Sequence, residues 1–171
     1  IATGKNLGFG KAHNIVINNL PKIKSKYHLV LNPDVYFDEG VTEKLVDYMN
    51  QNESVGLVMP KVLYPSGNIQ HNCKLLPTPY NLFVRRFMYF DQQRVKESNY
   101  SYEMQFADYD EEMEVPYLSG CFMFLRASSL KRVGGFDEKF FLYGEDIDLS
   151  RRIHQQFQTM YYPAATVYHH H

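Results

Sequence analysis

The chain has 171 residues, 18 basic against 19 acidic side chains and a formal net charge of −1, a balance that speaks against bulk attraction to nucleic acid. Its length allows one domain with a real core. The two cysteines, Cys73 and Cys121, show neither C-x-x-C nor zinc spacing and read as free thiols of a reducing, cytoplasmic setting; neither a membrane-spanning run of about 18 apolar residues nor a signal peptide is visible.

In chain order, "FGKAHNIVINNL" places Ala12, Ile15 and Leu20 near one helical stripe, with the glycine-rich "NLGFG" leading in. "YHLVLNPDV" reads as a buried strand, Tyr27 to Leu31, ended by Asn32-Pro33-Asp34. "VTEKLVDYMNQN" spaces Val41, Leu45, Val46 and Met49 as an amphipathic helix, and "VGLVMP" is a short apolar strand. "KVLYPSGNIQHN" reads as two short strands about a Pro-Ser-Gly turn. Residues 74–113 read as irregular. "YLSGCFMFLR" follows as one strand with a central glycine, then a short helix "ASSLKRVGGF" ended by Gly134-Gly135. A helix over Glu145 to Gln156 and two strand-like runs, "TMYYP" and "ATVYHH", complete the pattern. Alternating strands and helices predict an α/β domain with a mainly parallel sheet, whose ligands sit at strand carboxyl ends. Asp34 lies at such an end.

Three stretches carry candidate chemistry. In "LNPDV" a carboxylate just past a buried strand suits a divalent cation, and Asn-Pro-Asp equally suits a plain turn. In "NLGFGKAHN" glycines and a helix N-terminus suit a phosphate, though the Lys-Ser/Thr of a phosphate loop is absent; a simple helix lead-in is the other reading. In "FLYGEDIDLSRR" Glu145 and Asp146 fall in a first helical turn, where negative charge gains about 0.3–1 kcal/mol. Asp148 and Arg152 stand at i, i+4 and suit a pair. The bulky "KFFLYG" before the acids fits a site shielded from water, where a carboxylate's pKa rises toward that of a useful base. His13, His28, His71 and His154 show no ligand spacing. His169, after a strand-like run, reads either as a metal ligand or as part of a purification tag over 169–171. The start at Ile1, with a motif following almost at once, suggests a fragment.

Together, "NLGFGKAHN", "LNPDV", "SGCFMFLR", "VGGFDEKFFLYGEDIDLSRR" and "YYPAATVYHH" resemble, in that order, the family 2 glycosyltransferases, especially the bacterial rhamnosyltransferase-like branch. The resemblance implies an A-type glycosyltransferase fold, Rossmann-like with helices flanking the sheet, its first strands missing, as a single partial catalytic domain over 1–171. It implies inverting transfer of a sugar, with rhamnose favoured, from a nucleotide-diphosphate sugar to a saccharide or lipid-linked saccharide in cell-surface polysaccharide synthesis. Mg²⁺ or Mn²⁺ would be bound mainly with the donor. Asp34 matches the metal-reaching aspartate, and Asn32 stands where many members carry another. His169 matches the histidine on which the catalytic domain often ends. Asp146 matches the general base and Glu145 its companion. Gly120 matches the small residue beside the sugar, Asn6, Gly8 and Asn14 the loop flanking the nucleotide, and Arg152 the basic residue after the acidic motif. Competing readings are a metal-dependent nucleotidyltransferase and a non-catalytic carbohydrate-binding domain. Arg85 and Arg86 among the aromatics of "YNLFVRRFMYF" suit either peripheral contact with an anionic membrane surface or a loop packed over the acceptor cleft.

Overall fold

The computed structural model describes residues 4, 6–88, 90–140 and 143–170, the side chains of Ile23 and Arg85 aside. Helices α1 (Phe9–Ile17) and α2 (Leu20–Ile23) lead into β1 (Tyr27–Leu31), β2 (Val35–Tyr36), α3 (Val41–Gln51) and the long β3 (Val55–Leu63). Next come β4 (Cys73–Lys74), α4 (Pro79–Phe87), α5 (Gln92–Tyr102), β5 (Met113–Glu114) and β6 (Tyr117–Leu118). The chain closes with β7 (Phe122–Arg126), α6 (Ala127–Val133), α7 (Glu145–His154) and β8 (Gln158–His169).

The main sheet has the order β1-β7-β3-β8-β2, with β5 also on β8, while β4 and β6 form a separate pair. The expected mainly parallel sheet is in fact mixed. β3 and β8 pair in parallel at the centre, and β7 runs antiparallel to both β1 and β3. β1, β3 and β8 therefore share one direction, with the reversed β7 inserted between β1 and β3. The near-continuous burial of Val55–Pro60 and of Phe122–Leu125 fits strands covered on both faces. Val41, Leu45, Tyr48 and Met49 bury one stripe of α3, as the helical period requires.

Three sequence expectations change. Residues 74–113 hold two helices rather than irregular chain. Thr78 and Asn81 form a reciprocal capping box with Pro79 in the first turn of α4, and Asp91 caps α5. The apolar period of α5, "QQRVKESNYSY", is too sparse to announce a helix; contact with α4, including Asn81 Nδ2 to Ser98 Oγ at 3.0 Å, supports it. Second, "TMYYP" and "ATVYHH" are one strand. The β3–β8 register steps from Pro60↔Tyr162 to Lys61↔Thr166, and the bulge absorbs Pro163, which has no N–H to give a ladder. Third, "YLSGCFMFLR" divides at Gly120. β6 pairs with β4 and β7 joins the main sheet, so the chain turns at Ser119–Cys121. No helix among the described residues is long and apolar enough to cross a membrane.

Candidate active site

β1 ends where Pro33 forbids further pairing, and the turn closes through Val35 N–H to the Asn32 carbonyl at 3.2 Å. β2 then pairs with the end of β8, Val35 opposite His169, which brings the imidazole to Asp34. His169 Nε2 lies 3.3 Å from Asp34 Oδ1, and its Nδ1 lies 3.0 Å from Gln70 Oε1. Gln70 Nε2 donates to the His169 carbonyl at 2.8 Å, which fixes Gln70 Oε1 as the acceptor. The Nδ1 of His169 thus carries a proton toward Gln70, and Nε2 faces a carboxylate oxygen. An imidazole nitrogen and a carboxylate oxygen at this separation hold a proton or a cation between them. Adjacent ligands about 2.1 Å from an octahedral ion stand about 3 Å apart, so the pair fits a divalent cation. Among the described residues no group of three or more His, Cys, Asp or Glu gathers to hold a metal.

The second centre is the start of α7. Tyr143 and Gly144 both adopt left-handed backbone, φ 68° and 94°, and turn the chain sharply into the helix. Asp146 Oδ2 then accepts from the Tyr117 hydroxyl and from the Gly120 N–H, both at 2.9 Å, and Oδ1 accepts from Ile147 N–H at 2.9 Å. Only glycine allows this approach without adjustment: a Cβ on residue 120 would sit 3.1 Å from Asp146 Cβ. Burial pushes the Tyr117 phenol pKa up, and the Asp146 charge beside it adds to the rise, so the hydroxyl stays a donor. Glu145 is buried, and its Oε2 has no hydrogen-bond partner among the described residues. Asp148, the third acid, pairs with Arg152 at 2.7 Å.

A cavity of about 400 Å³ joins the two centres, lined by Asn32, Asp34, Gly120, Glu145, Asp146 and His169 among the predicted residues. His169 is a buried residue of β8, and of the tag reading's other positions His171 lies outside the described residues. Four predicted donor contacts do not line this cavity. Asn14 is buried and holds the 134–138 loop: its Nδ2 donates to the Phe136 carbonyl at 2.9 Å, and its Oδ1 accepts from Phe136 N–H at 2.9 Å. A Cβ on Gly135 would fall 2.3 Å from Asn14 Oδ1, so any larger residue there would displace the Asn14 amide. Arg152 donates to the carbonyls of Val133 and Gly135, both at 2.8 Å, so its guanidinium joins α7 to the end of α6. Asn6 is exposed, accepts from Gly8 N–H at 2.9 Å and shapes the turn before α1.

Of the expected aromatic shield, the described rings of Phe140 and Tyr143 are both exposed. Phe141 and Leu142 lie outside the described residues, and Tyr143 stands at the cavity, 82% exposed. Sequence reading missed Gln70, Asn72, Lys74 and Tyr117, all lining residues. The first three alternate in "QHNCK", a polar period of two on one extended segment, and that pattern was a usable signal. A larger hollow, about 510 Å³, lies by α2 and α6, but its charged linings are Lys24 and Lys131 and it contains no carboxylate or histidine.

A mixed sheet with two acid centres meeting at one cavity beyond β1 defines a class of α/β domain, and comparison with known proteins places the chain within it. The chain belongs to the Glycosyltransferase like family 2, whose profile matches residues 1–171. It is 29% identical over 193 aligned residues to the N-acetylglucosaminyl-diphospho-decaprenol L-rhamnosyltransferase of Mycobacterium tuberculosis strain H37Rv, covering 99% of this chain and 58% of that protein. It is 28% identical to the rhamnosyltransferase WbbL of Escherichia coli K12, covering 85% of this chain and 54% of the relative. The chain thus spans little more than half the length of these relatives. In fold it is similar to the crystal structure of GalNAc-T7 with UDP, GalNAc and Mn²⁺, with a TM-score of 0.63 at 15% identity over 96% of this chain and 30% of that one. The expected A-type glycosyltransferase fold is borne out in this likeness.

Proposed function

We propose that this chain is part of a single catalytic domain of an inverting glycosyltransferase that moves a sugar, rhamnose by likeness to its relatives, from a nucleotide-diphosphate sugar to a lipid-linked saccharide in cell-surface polysaccharide synthesis. The observation that carries the reading is the meeting of Asp34 and Asp146, from distant segments, on one cavity. Asp146 takes the proton from the acceptor hydroxyl as that oxygen attacks the anomeric carbon, and the carbon–oxygen bond to the diphosphate breaks on the opposite face. Tyr117 and the Gly120 N–H hold Oδ2 fixed, so the carboxylate meets the hydroxyl without reorganising. Glu145 offers its unpaired oxygen to a sugar hydroxyl, and Asn32 and Gly120 flank the donor.

Asp34 and His169 are the residues that would hold Mg²⁺ or Mn²⁺. When bound, the cation neutralises the leaving diphosphate. Without it, a phosphate charge 4 Å from Asp34 costs about 1 kcal/mol in water and about 4 at an effective dielectric of 20. Two protein ligands leave most of the coordination to substrate and water, so metal and donor bind together.

The exposed rings of Tyr80, Phe83, Phe87 and Phe90, with Phe83 and Phe87 centroids 5.2 Å apart, support peripheral contact with the cytoplasmic face of a membrane. Arg86 is exposed beside them; the Arg85 side chain lies outside the description. The test of function is slow donor hydrolysis by the full-length protein across a panel of nucleotide sugars. Release of nucleotide from one donor, abolished by Asp34→Ala, is expected. Release unchanged by that substitution, or from no donor, overturns the reading.

A further inference from the structure

Lys74 has a place in the cavity that neither acid centre explains. It is the only lysine or arginine among the described lining residues, facing three carboxylates, and it makes no ion pair among the described residues. Its ammonium lies 5.7 Å from the centroid of the Tyr102 ring and 5.8 Å from that of Tyr117. β4 sets Lys74 directly opposite Tyr117 of β6. The order along the segment is informative. Gln70 holds His169 beside Asp34, Asn72 accepts at its carbonyl from Ser119 N–H at 3.2 Å, and Lys74 reaches the ring whose hydroxyl is bonded to Asp146. The lysine is therefore placed beside the Tyr117–Asp146 pair, the end where the proposed reaction takes the acceptor's proton.

We propose that Lys74 is the residue that binds the acceptor's phosphate group, a specificity-determining contact for an acceptor of the diphosphate-linked kind named for the mycobacterial relative. The inference rests on the glycosyltransferase reading above. A transfer between a nucleotide-diphosphate donor and a diphosphate-linked acceptor brings two anionic groups to a cavity with three carboxylates. Each needs a positive partner. The cation at Asp34 and His169 serves the donor, and Lys74 serves the acceptor one sugar ring from the reacting hydroxyl. The two aromatic rings keep the ammonium in place while leaving its three donors available to phosphate oxygens.

The experiment uses the full-length protein, a nucleotide-diphosphate rhamnose and two acceptors of the same sugar, one a lipid diphosphate and one a neutral alkyl glycoside. Lys74→Gln is expected to raise KM for the diphosphate acceptor roughly tenfold to a hundredfold, the range for a lost charge-assisted hydrogen bond. The neutral acceptor should suffer much less, and Lys74→Arg should restore most of the loss. Donor KM and the pH dependence of kcat should not move. Equal losses on both acceptors, a rise confined to donor KM, or a shifted pH profile would overturn the assignment, the last pointing to a role through Asp146 instead. A wild-type arm is independent of any folding defect: a short alkyl diphosphate, with metal in excess, should compete with the diphosphate acceptor, and competition with the donor alone overturns the proposal. Transfer by the wild type to neither acceptor counts against the glycosyltransferase reading itself, and the role of Lys74 falls with it.

Discussion

The two ends of the cavity use carboxylates in opposite ways. Asp146 is surrounded by protein donors, three of them at 2.9 Å, so its position is complete before anything binds. Asp34 Oδ1 instead lies 3.3 Å from His169 Nε2, and on the proposed reading a cation completes its surroundings. On the proposed reading, the difference teaches that a group that acts on a proton is preorganised, while a group that shares a cation with a substrate is completed by that cation.

Substitutions separate the two ends. Asp146→Asn keeps the shape but removes the base, and a loss of roughly 10²–10⁴ in transfer rate is expected with donor binding retained. Steady-state rates together with donor titration check it; turnover near the normal rate removes Asp146 from the role. At the other end, Gln70→Leu frees the His169 ring without replacing either proposed ligand. The divalent-ion concentration for half activation should rise roughly 10–100-fold, the usual cost of losing a residue that orients a metal ligand. Calorimetry should show weak metal binding without nucleotide in the wild type, and tight binding there would erase the contrast.

Two smaller effects lie outside the cavity. Asn14→Ala removes the buried amide that holds the 134–138 loop and should cost about 1–3 kcal/mol in urea unfolding. If the metal requirement shifts as well, Asn14 belongs to the site after all. The other effect is on pH. Burial pushes the His28 pKa down to about 4 from the usual 6.5, and the neighbouring His13 adds to the depression. The unfolded chain therefore binds more protons across that interval, so stability present above pH 6.5 is lost as pH falls toward 4. His28→Leu should flatten that part of the thermal-unfolding profile, and an unchanged slope would assign the loss to other groups.

The residue pattern was legible wherever the chemistry is local. The helix at Glu145, the strand before Asn32-Pro33-Asp34 and the stripe of α3 follow from period, proline and charge placement. Local rules also foresaw the Asp148–Arg152 pair. They failed for α5, where period is sparse and packing against α4 supports the helix, and they were silent on Asn14 and Arg152, whose donor-binding roles were implied by the family resemblance alone. Polarity alone does not tell whether a donor will meet a ligand or a carbonyl from another element. Both residues meet the 133–136 segment, to which only packing brings them.

What the sequence by itself determined is the set of elements and the acids available to them: carboxylates after a strand and at a helix start, glycines where backbone must come close. The tertiary structure decided which acids meet, which are neutralised and which face solvent. The physical reason is reach. Hydrophobic period and turn chemistry act over a few residues, whereas Asp34 finds His169, Tyr117 finds Asp146 and Lys74 finds the cavity only once sheet order and strand register have been set.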